Sequence, residues 1–572
     1  MIRTLDQIVD GAAYDCVVLG AGAGGMAAAV FAALDGARVL LVERTAHLGG
    51  TTALSAASAW VPNSLHAATV AADDSVENAS RYLSGVVGNH APRSLRDAFL
   101  ESGPAAIARL ERDSDVHFRP YATHPDYEQQ HEGATLRGRA LEPLPFDGRE
   151  LGDDLGLIRP PIPEFTILGG MMVDRTDIGH LLKLGKSSAS TLHALRILGR
   201  YGLDRLAGRR GSRLVMGNAL VGRMLLTLQK RGVDILVRTE TRELVAGPAG
   251  VEGVVLESGG VVRRIQATRG VVLAGGGFTR HPARRAEMLP APAPAESPCA
   301  PGATGALQDL ALGLGARFGE GAQDHAFWAP VSIRKRADGS TAVFPHFVMD
   351  RSKPGTVCVN QAGRRFVNES ASYHLFAKAM LEADGTAPCI PSFIVTDAAG
   401  LRKYGLGMVR MGARTLRPFL DDGYLVEGRT LAELAGKLGI DAAALETTVA
   451  AMNAAAKTGV DPDFGRGSTA YHRVNGDAAA GWPNPTLGRI DAPPFYAVRL
   501  YPADIGAATG LAVDAWAQVL KGDDRPIGRL YACGNEAQSV MGGTYPGPGV
   551  TIGPAIAFAY RAVQHALGRT PE

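Results

Sequence analysis

The segment Leu530 to Ala555, LYACGNEAQSVMGGTYPGPGVTIGPA, carries a phenol, a dense set of glycines and three prolines, Pro546, Pro548 and Pro554, close together. Each proline fixes φ and removes a backbone donor, so the loop is stiff and its remaining N–H groups point in set directions. Pro554 suits the first residue of a helix running through Ala555-Ile556-Ala557-Phe558-Ala559-Tyr560. The N–H groups near Thr551 to Gly553 would then face a partly negative guest. Alone, the segment reads equally well as a surface turn closing a C-terminal helix.

A second motif decides between these readings. Tyr14 to Leu19 forms a β-branched apolar run, followed by Gly20-Ala21-Gly22-Ala23-Gly24-Gly25 and an alanine-rich stretch to Asp35. Ala37 to Val42 reads as a second strand ending at the acid Glu43. This is a βαβ nucleotide fingerprint in context: Gly20 for the turn, Gly22 for close approach of a pyrophosphate, Gly25 for helix against strand and Glu43 for ribose hydroxyls. Next come Arg44 and a second glycine turn rich in hydroxyls, Gly49-Gly50-Thr51-Thr52 with Ser55. A second set of phosphate and flavin contacts there favours FAD over NAD. Gly270 to Phe278, GVVLAGGGF, reads as another buried strand ending in glycines, with Gly275 and Gly276 at the nucleotide edge. Val233 to Thr239 and Val251 to Leu256 read as strands of a sheet interrupted and resumed.

Those elements need a large scaffold. At 572 residues the chain exceeds one core, so two or three domains are expected. Lys and Arg number 59 against 57 acidic residues, a net charge of +2, and no basic run is interleaved with aromatics, which argues against nucleic acid. No signal-like N-terminus or credible membrane span is evident, so the expectation is cytoplasmic, with peripheral contact to the inner membrane left open. The five cysteines are scattered, and neither they nor the histidines show metal-ligand spacing, so no metal is expected. The proline- and alanine-rich stretch Pro282 to Gly305 marks an exit from the nucleotide domain, and Pro483 to Arg499 a return. The expected division is residues 1–281 with a mostly helical excursion at about 84–210, an inserted domain at 282–484, and a C-terminal return at 485–572.

That order resembles the flavoprotein superfamily of fumarate reductases and 3-ketosteroid Δ1-dehydrogenases, nearly end to end. The fumarate-reductase branch carries a histidine before a Gly-Gly turn, whereas here Gly506-Ala507-Ala508-Thr509-Gly510-Leu511 has none preceding it. The Δ1-dehydrogenase pattern Tyr-Pro-Gly-x-Gly is matched by Tyr545-Pro546-Gly547-Pro548-Gly549. A tyrosine shortly after Arg-Phe-Val-Asn-Glu is matched by Tyr373 after Arg365 to Glu369, and a Pro-Asp-Tyr element by Pro125-Asp126-Tyr127, with Tyr121 as the alternative. The resemblance implies an α/β fold: a Rossmann-like FAD-binding domain of glutathione-reductase type, split by an inserted α+β substrate domain.

It also implies an activity, FAD-dependent 1,2-desaturation of 3-ketosteroids in steroid degradation, with electrons passing to a quinone-like acceptor. Such a step needs a base for the C2 proton, donors for the developing enolate and a flavin whose N5 receives the C1 hydride. Tyr545 and the Gly549 N–H are expected to clamp the ketone oxygen, where one such donor is worth about 10²- to 10³-fold in rate. Tyr373 is expected to be the base, with Tyr127 hydrogen-bonding its phenolate and the site disfavouring the neutral phenol. Gly534, Asn535, Val550, Thr551 and Ile552 are expected at the isoalloxazine, and the flavin to be non-covalent, since no histidine follows Gly49-Gly50. The competing readings are a fumarate-reductase-like or Δ4-ketosteroid enzyme, and a flavin protein without substrate chemistry.

Overall fold

The protein is represented by a computed structural model that describes residues 2–70, 74–208 and 210–569. Its first sheet has nine strands. Ile2–Arg3, Asp234–Leu236, Val39–Val42, Ala13–Leu19 and Val261–Leu273 lie side by side and parallel, and Pro526–Ala532 pairs on to Val261–Leu273 in parallel. Gly250–Ser258 and Glu240–Gly247 extend the sheet antiparallel. Parallel strands are covered on both faces, which is why Cys16, Val17, Val18 and Leu19 are all buried rather than alternating. The first strand thus spans Ala13–Leu19 and the helix after it Ala23–Leu34, close to the spans read from the sequence.

The glycines of the fingerprint set the spacing of these layers. Gly25 packs the helix on the strand, since a Cβ there would strike the Gly20 carbonyl. The helix Ala23–Leu34 in turn lies against the final helix, Ile552–Ala566, with Phe31 edge-on to Tyr560 at 5.1 Å. That final helix starts at Ile552, so Pro554 is its third residue rather than its first. Proline is tolerated there because the first four N–H groups of a helix lack intrahelical acceptors.

A second sheet of six strands carries the inserted region. Thr341–Pro345, Ala326–Lys335, Phe495–Ala507, Ser392–Asp397 and Thr356–Val359 are antiparallel neighbours, and Leu425–Gly428 also pairs with Phe495–Ala507. The long strand Phe495–Ala507 therefore stays in this sheet past residue 485, and the chain rejoins the first sheet with Gln518–Leu520. Between residues 59 and 210 the excursion contributes the helices Val76–Val87, Arg93–Asp113, Arg175–Leu181 and Ser188–Leu206 and several short strands. Among the described residues no helix is long and apolar enough to cross a membrane.

Candidate active site

One continuous cavity of about 470 Å³ runs from the fingerprint to the tyrosines. Its nucleotide end is built from backbone. Gly20, Gly22 and Gly24 line it, and a Cβ on Gly22 would meet nothing within 4 Å. Gly22 caps the first helix without a side chain, and Thr52 supplies the missing acceptor: its Oγ1 takes the Ala23 N–H at 3.1 Å. Glu43 is buried at the strand end, where its carboxylate accepts the N–H groups of Ala21 and Thr45 at 3.1 and 2.8 Å. Arg44 is held by Thr304 and Glu240. Gly50, Thr51, Ser55, Gly275, Gly276, Gly534, Asn535, Thr551 and Ile552 also line the cavity. Gly25 packs helix on strand as its spacing implied, while Gly49 lies under Val221 and Val550 lines a smaller adjoining cavity.

Two residues not expected from the sequence add unpaired polar atoms to this end. Arg159 donates to Thr45 Oγ1 at 2.8 Å, yet its buried Nε has no partner. Glu536 accepts the Gly277 N–H at 3.0 Å with one oxygen, while its other oxygen is buried and unpaired. Burial pushes Glu536 up to about 7. The glycine cradle, the ribose acid and these orphaned atoms fit a dinucleotide of the FAD type.

At the other end Tyr127, Tyr373 and Tyr545 converge, all buried. Tyr127 donates to the Tyr373 hydroxyl at 3.5 Å. The Tyr373 ring meets the Tyr545 ring edge-on at 5.0 Å, and Tyr127 stacks parallel to Tyr545 at 5.9 Å. Their positions come from three distant segments. Tyr373 opens the helix Tyr373–Asp384, capped by Ser372. Tyr545 belongs to the proline loop, whose Pro546 carbonyl accepts the Tyr127 N–H at 2.9 Å and the Tyr82 hydroxyl at 2.6 Å. Asp126 beside Tyr127 is fixed by Trp60 Nε1 at 2.8 Å and Arg139 at 2.7 Å, and Arg139 also pairs with Asp74 at 2.6 Å. Tyr121 instead bonds Ser58 Oγ at 2.9 Å, so of these two phenols it is Tyr127 that hydrogen-bonds Tyr373.

Gly549 completes this end. Its φ of +94° and the nearness of the Ser58 carbonyl exclude a side chain. Its carbonyl accepts the Trp60 N–H at 3.1 Å, while its own N–H finds no acceptor among the described residues. Gly549 and Tyr545 thus line the same cavity. A fourth phenol, Tyr471, packs 4.6 Å from Tyr127 with its buried hydroxyl unpaired. No motif in the sequence marks it.

The electrostatics correct one expectation. Burial, followed by the neighbouring phenols, holds Tyr373 and Tyr127 well above the ordinary phenol range, and burial pushes Tyr545 up to about 12. The site therefore favours neutral phenols instead of disfavouring them. One feature favours charge on Tyr373 during proton transfer, its place at the first residue of a helix.

Comparison with known proteins defines the class. Residues 15–552 match the FAD binding domain family, and the chain belongs to that family. FAD is its cofactor, and it is a flavin-dependent oxidoreductase. It is 36% identical to a 4-oxocyclohex-2-ene-1-carboxylate 5-dehydrogenase of Sinomonas cyclohexanicum over 96% of this chain and 93% of that one. It is 34% identical to a 3-oxosteroid 1-dehydrogenase of Mycobacterium tuberculosis over 96% and 98%. The crystal structure of 3-ketosteroid delta1-dehydrogenase from Sterolibacterium denitrificans in complex with 1,4-androstadiene-3,17-dione superimposes with a TM-score of 0.90 at 34% identity, covering 97% of this chain and 99% of that one.

Proposed function

We propose that the protein desaturates the bond beside a ring ketone, C1–C2 of a 3-ketosteroid, in steroid degradation. The observation that carries this is the meeting of three buried phenols with the unpaired Gly549 N–H at one end of the FAD cavity. Tyr545 Oη and the Gly549 N–H hold the ketone oxygen and stabilise the charge that grows on it. Tyr373 Oη takes the C2 proton, which the clamped carbonyl has made acidic, while Tyr127 donates to Tyr373. Bound FAD supplies the acceptor for the hydride leaving C1. The glycine, threonine and acid groups at the other end hold the cofactor, including Gly49 and Val550 through the loops they shape.

In this reading the cofactor domain comprises residues 1–281 and 485–572, with strand Phe495–Ala507 as the seam to the inserted domain at 282–484. Electrons leave to a quinone-like acceptor. Contact with the inner membrane, where quinones dissolve, is supported by exposed leucines: Leu182 and Leu184 precede the helix Ser188–Leu206, which exposes Leu192, Leu195, Leu203 and Leu206 alongside Arg196 and Arg205. An apolar stripe beside cations suits an anionic bilayer surface. Cosedimentation with anionic vesicles, lost on replacing Leu195 and Leu203 by Glu, checks it.

The test of the activity is anaerobic mixing of the yellow holoprotein with androst-4-ene-3,17-dione and other ring ketones. Loss of the yellow colour is expected. Persistence of the colour with every ring ketone contradicts the reading, and oxidation of the reduced protein by fumarate would favour a dicarboxylate reductase instead.

A further inference from the structure

Charged groups at the nucleotide end of the cavity each have at least one partner: Arg44 and Arg242 pair with Glu240, Glu43 accepts two backbone N–H groups, Arg159 donates to Thr45 and Glu536 accepts the Gly277 N–H. The tyrosine end differs. Its lining is phenolic and apolar, with Phe347, Val348, Met349 and Ile505 beside the tyrosines, but the guanidinium of Arg175 is also there. Among the described residues that guanidinium makes no hydrogen bond and no ion pair. What holds it is the Tyr121 ring, 5.2 Å from its central carbon.

The acids nearest in sequence are already engaged. Asp174 pairs with Arg119 at 3.5 Å and Arg213 at 3.8 Å, and it caps the helix that Arg175 begins. Asp177 pairs with Arg213 at 2.6 Å and His193 at 2.8 Å. Lys353 donates to the carbonyls of Asn475 and Gly476. His124 stands edge-on to Tyr121 at 4.9 Å with its Nδ1 buried and unpaired. Burial, and then Arg175, hold His124 down to about 3, so it is neutral and Arg175 is the charge presented here.

The cation also has a defined relation to the ketone clamp. Tyr121, on which it stacks, is bonded through its hydroxyl to Ser58 Oγ, and the Ser58 carbonyl closes on Gly549. One tyrosine and one serine therefore link the guanidinium to the proposed carbonyl site. A planar fork resting on an aromatic face is pre-organised for a carboxylate, so less freedom is lost when the pair forms. A wholly neutral substrate would leave that fork unused.

We propose that Arg175 is an anion-recognition residue of the substrate site, and that ring ketones carrying a carboxylate remote from the carbonyl are preferred there over neutral ones. This rests on the ring-ketone reading above and narrows its substrate class. The carboxylate has two sources, a small oxocyclohexane acid or a 3-ketosteroid with an acidic side chain, and both present the same group to the guanidinium.

The experiment compares holoenzyme turnover of 4-oxocyclohexanecarboxylate and of a 3-ketosteroid bearing a side-chain carboxylate, each against its methyl ester, in wild type, Arg175→Gln and Arg175→Lys. Because Arg175 is exposed and its pairing screened, wild type is expected to prefer at least one acid over its ester by about two- to fivefold in kcat/KM. The preference should reside in KM, shrink with added salt, vanish in Arg175→Gln and partly return in Arg175→Lys, each read as the acid-to-ester ratio within one variant. The acid that shows it identifies the source. Equal turnover of acid and ester in wild type for both pairs, or a preference that survives Arg175→Gln, overturns the proposal. If every ring ketone, neutral ones included, leaves the flavin yellow, the ring-ketone reading itself falls and the proposal with it.

Discussion

Replacing Tyr545 with Phe removes one hydroxyl from the proposed ketone clamp and changes nothing else in shape or charge. The Gly549 N–H remains as a single donor, since its backbone is fixed by the Trp60 N–H on its carbonyl and by the absence of room for a side chain. Losing one of two oxyanion donors costs about 2.7–4 kcal/mol, or roughly 10²- to 10³-fold in rate. The cost to folding should be far smaller, about 0.5–1.5 kcal/mol for one neutral hydroxyl hydrogen bond. The ring itself stays packed between Tyr127, Tyr373 and Phe327, whose contacts do not involve the hydroxyl. Anaerobic stopped-flow reduction of the bound flavin by a 3-ketosteroid measures the step, with thermal unfolding as the control. A variant less than tenfold slower, with unchanged Tm, would refute the clamp.

Further outcomes follow from the same geometry. Tyr373→Phe should lower turnover by about 10²- to 10⁴-fold while leaving FAD bound, as read from the visible spectrum of the purified variant. Because Tyr373 must lose its proton to act and burial holds it well above the ordinary phenol value, log kcat/KM should rise with pH from 6 to 9 by about one per unit. Tyr545, pushed up to about 12, stays protonated and able to donate throughout that range. A plateau reached near neutral pH would assign the base to a carboxylate or histidine. Arg139→Ala leaves Asp74 and Asp126 buried without their cation, each with its side chain 1% exposed, and should destabilise the protein by about 3–5 kcal/mol in chemical denaturation. The same variant should lower turnover, because Asp126 orders the segment carrying Tyr127.

The parts of this site that sequence makes legible are local ones. The fingerprint works within one strand, one turn and one helix, so Gly20, Gly22 and Glu43 appear where their spacing puts them. The Tyr545 to Gly549 loop is likewise a short run with its own stiffness. Contacts between distant segments leave no such trace. Tyr82 and Pro546 are 464 positions apart, and nothing near either residue announces the bond that anchors the loop. Tyr471, Arg159, Glu536 and Arg175 reach the site or its edge from separate elements, and single residues of these types carry no periodic signal. The strand Phe495–Ala507 follows a proline-rich stretch that marks a turn, yet which sheet it joins depends on partners far earlier in the chain. The phenol shifts are hidden for the same reason: sequence shows which tyrosines share a motif but not how deeply they are buried or how closely they crowd one another.

The central claim is that hydrogens leave the two carbons next to a ring ketone, the α proton to Tyr373. A single anaerobic turnover of androst-4-ene-3,17-dione deuterated at C1 and C2 tests it, with the product analysed by mass spectrometry. The account predicts that the yellow colour is lost, that the product is the 1,4-diene and that one deuterium is missing from each carbon. Colour that persists, or a product retaining all its deuterium at either carbon, would contradict it.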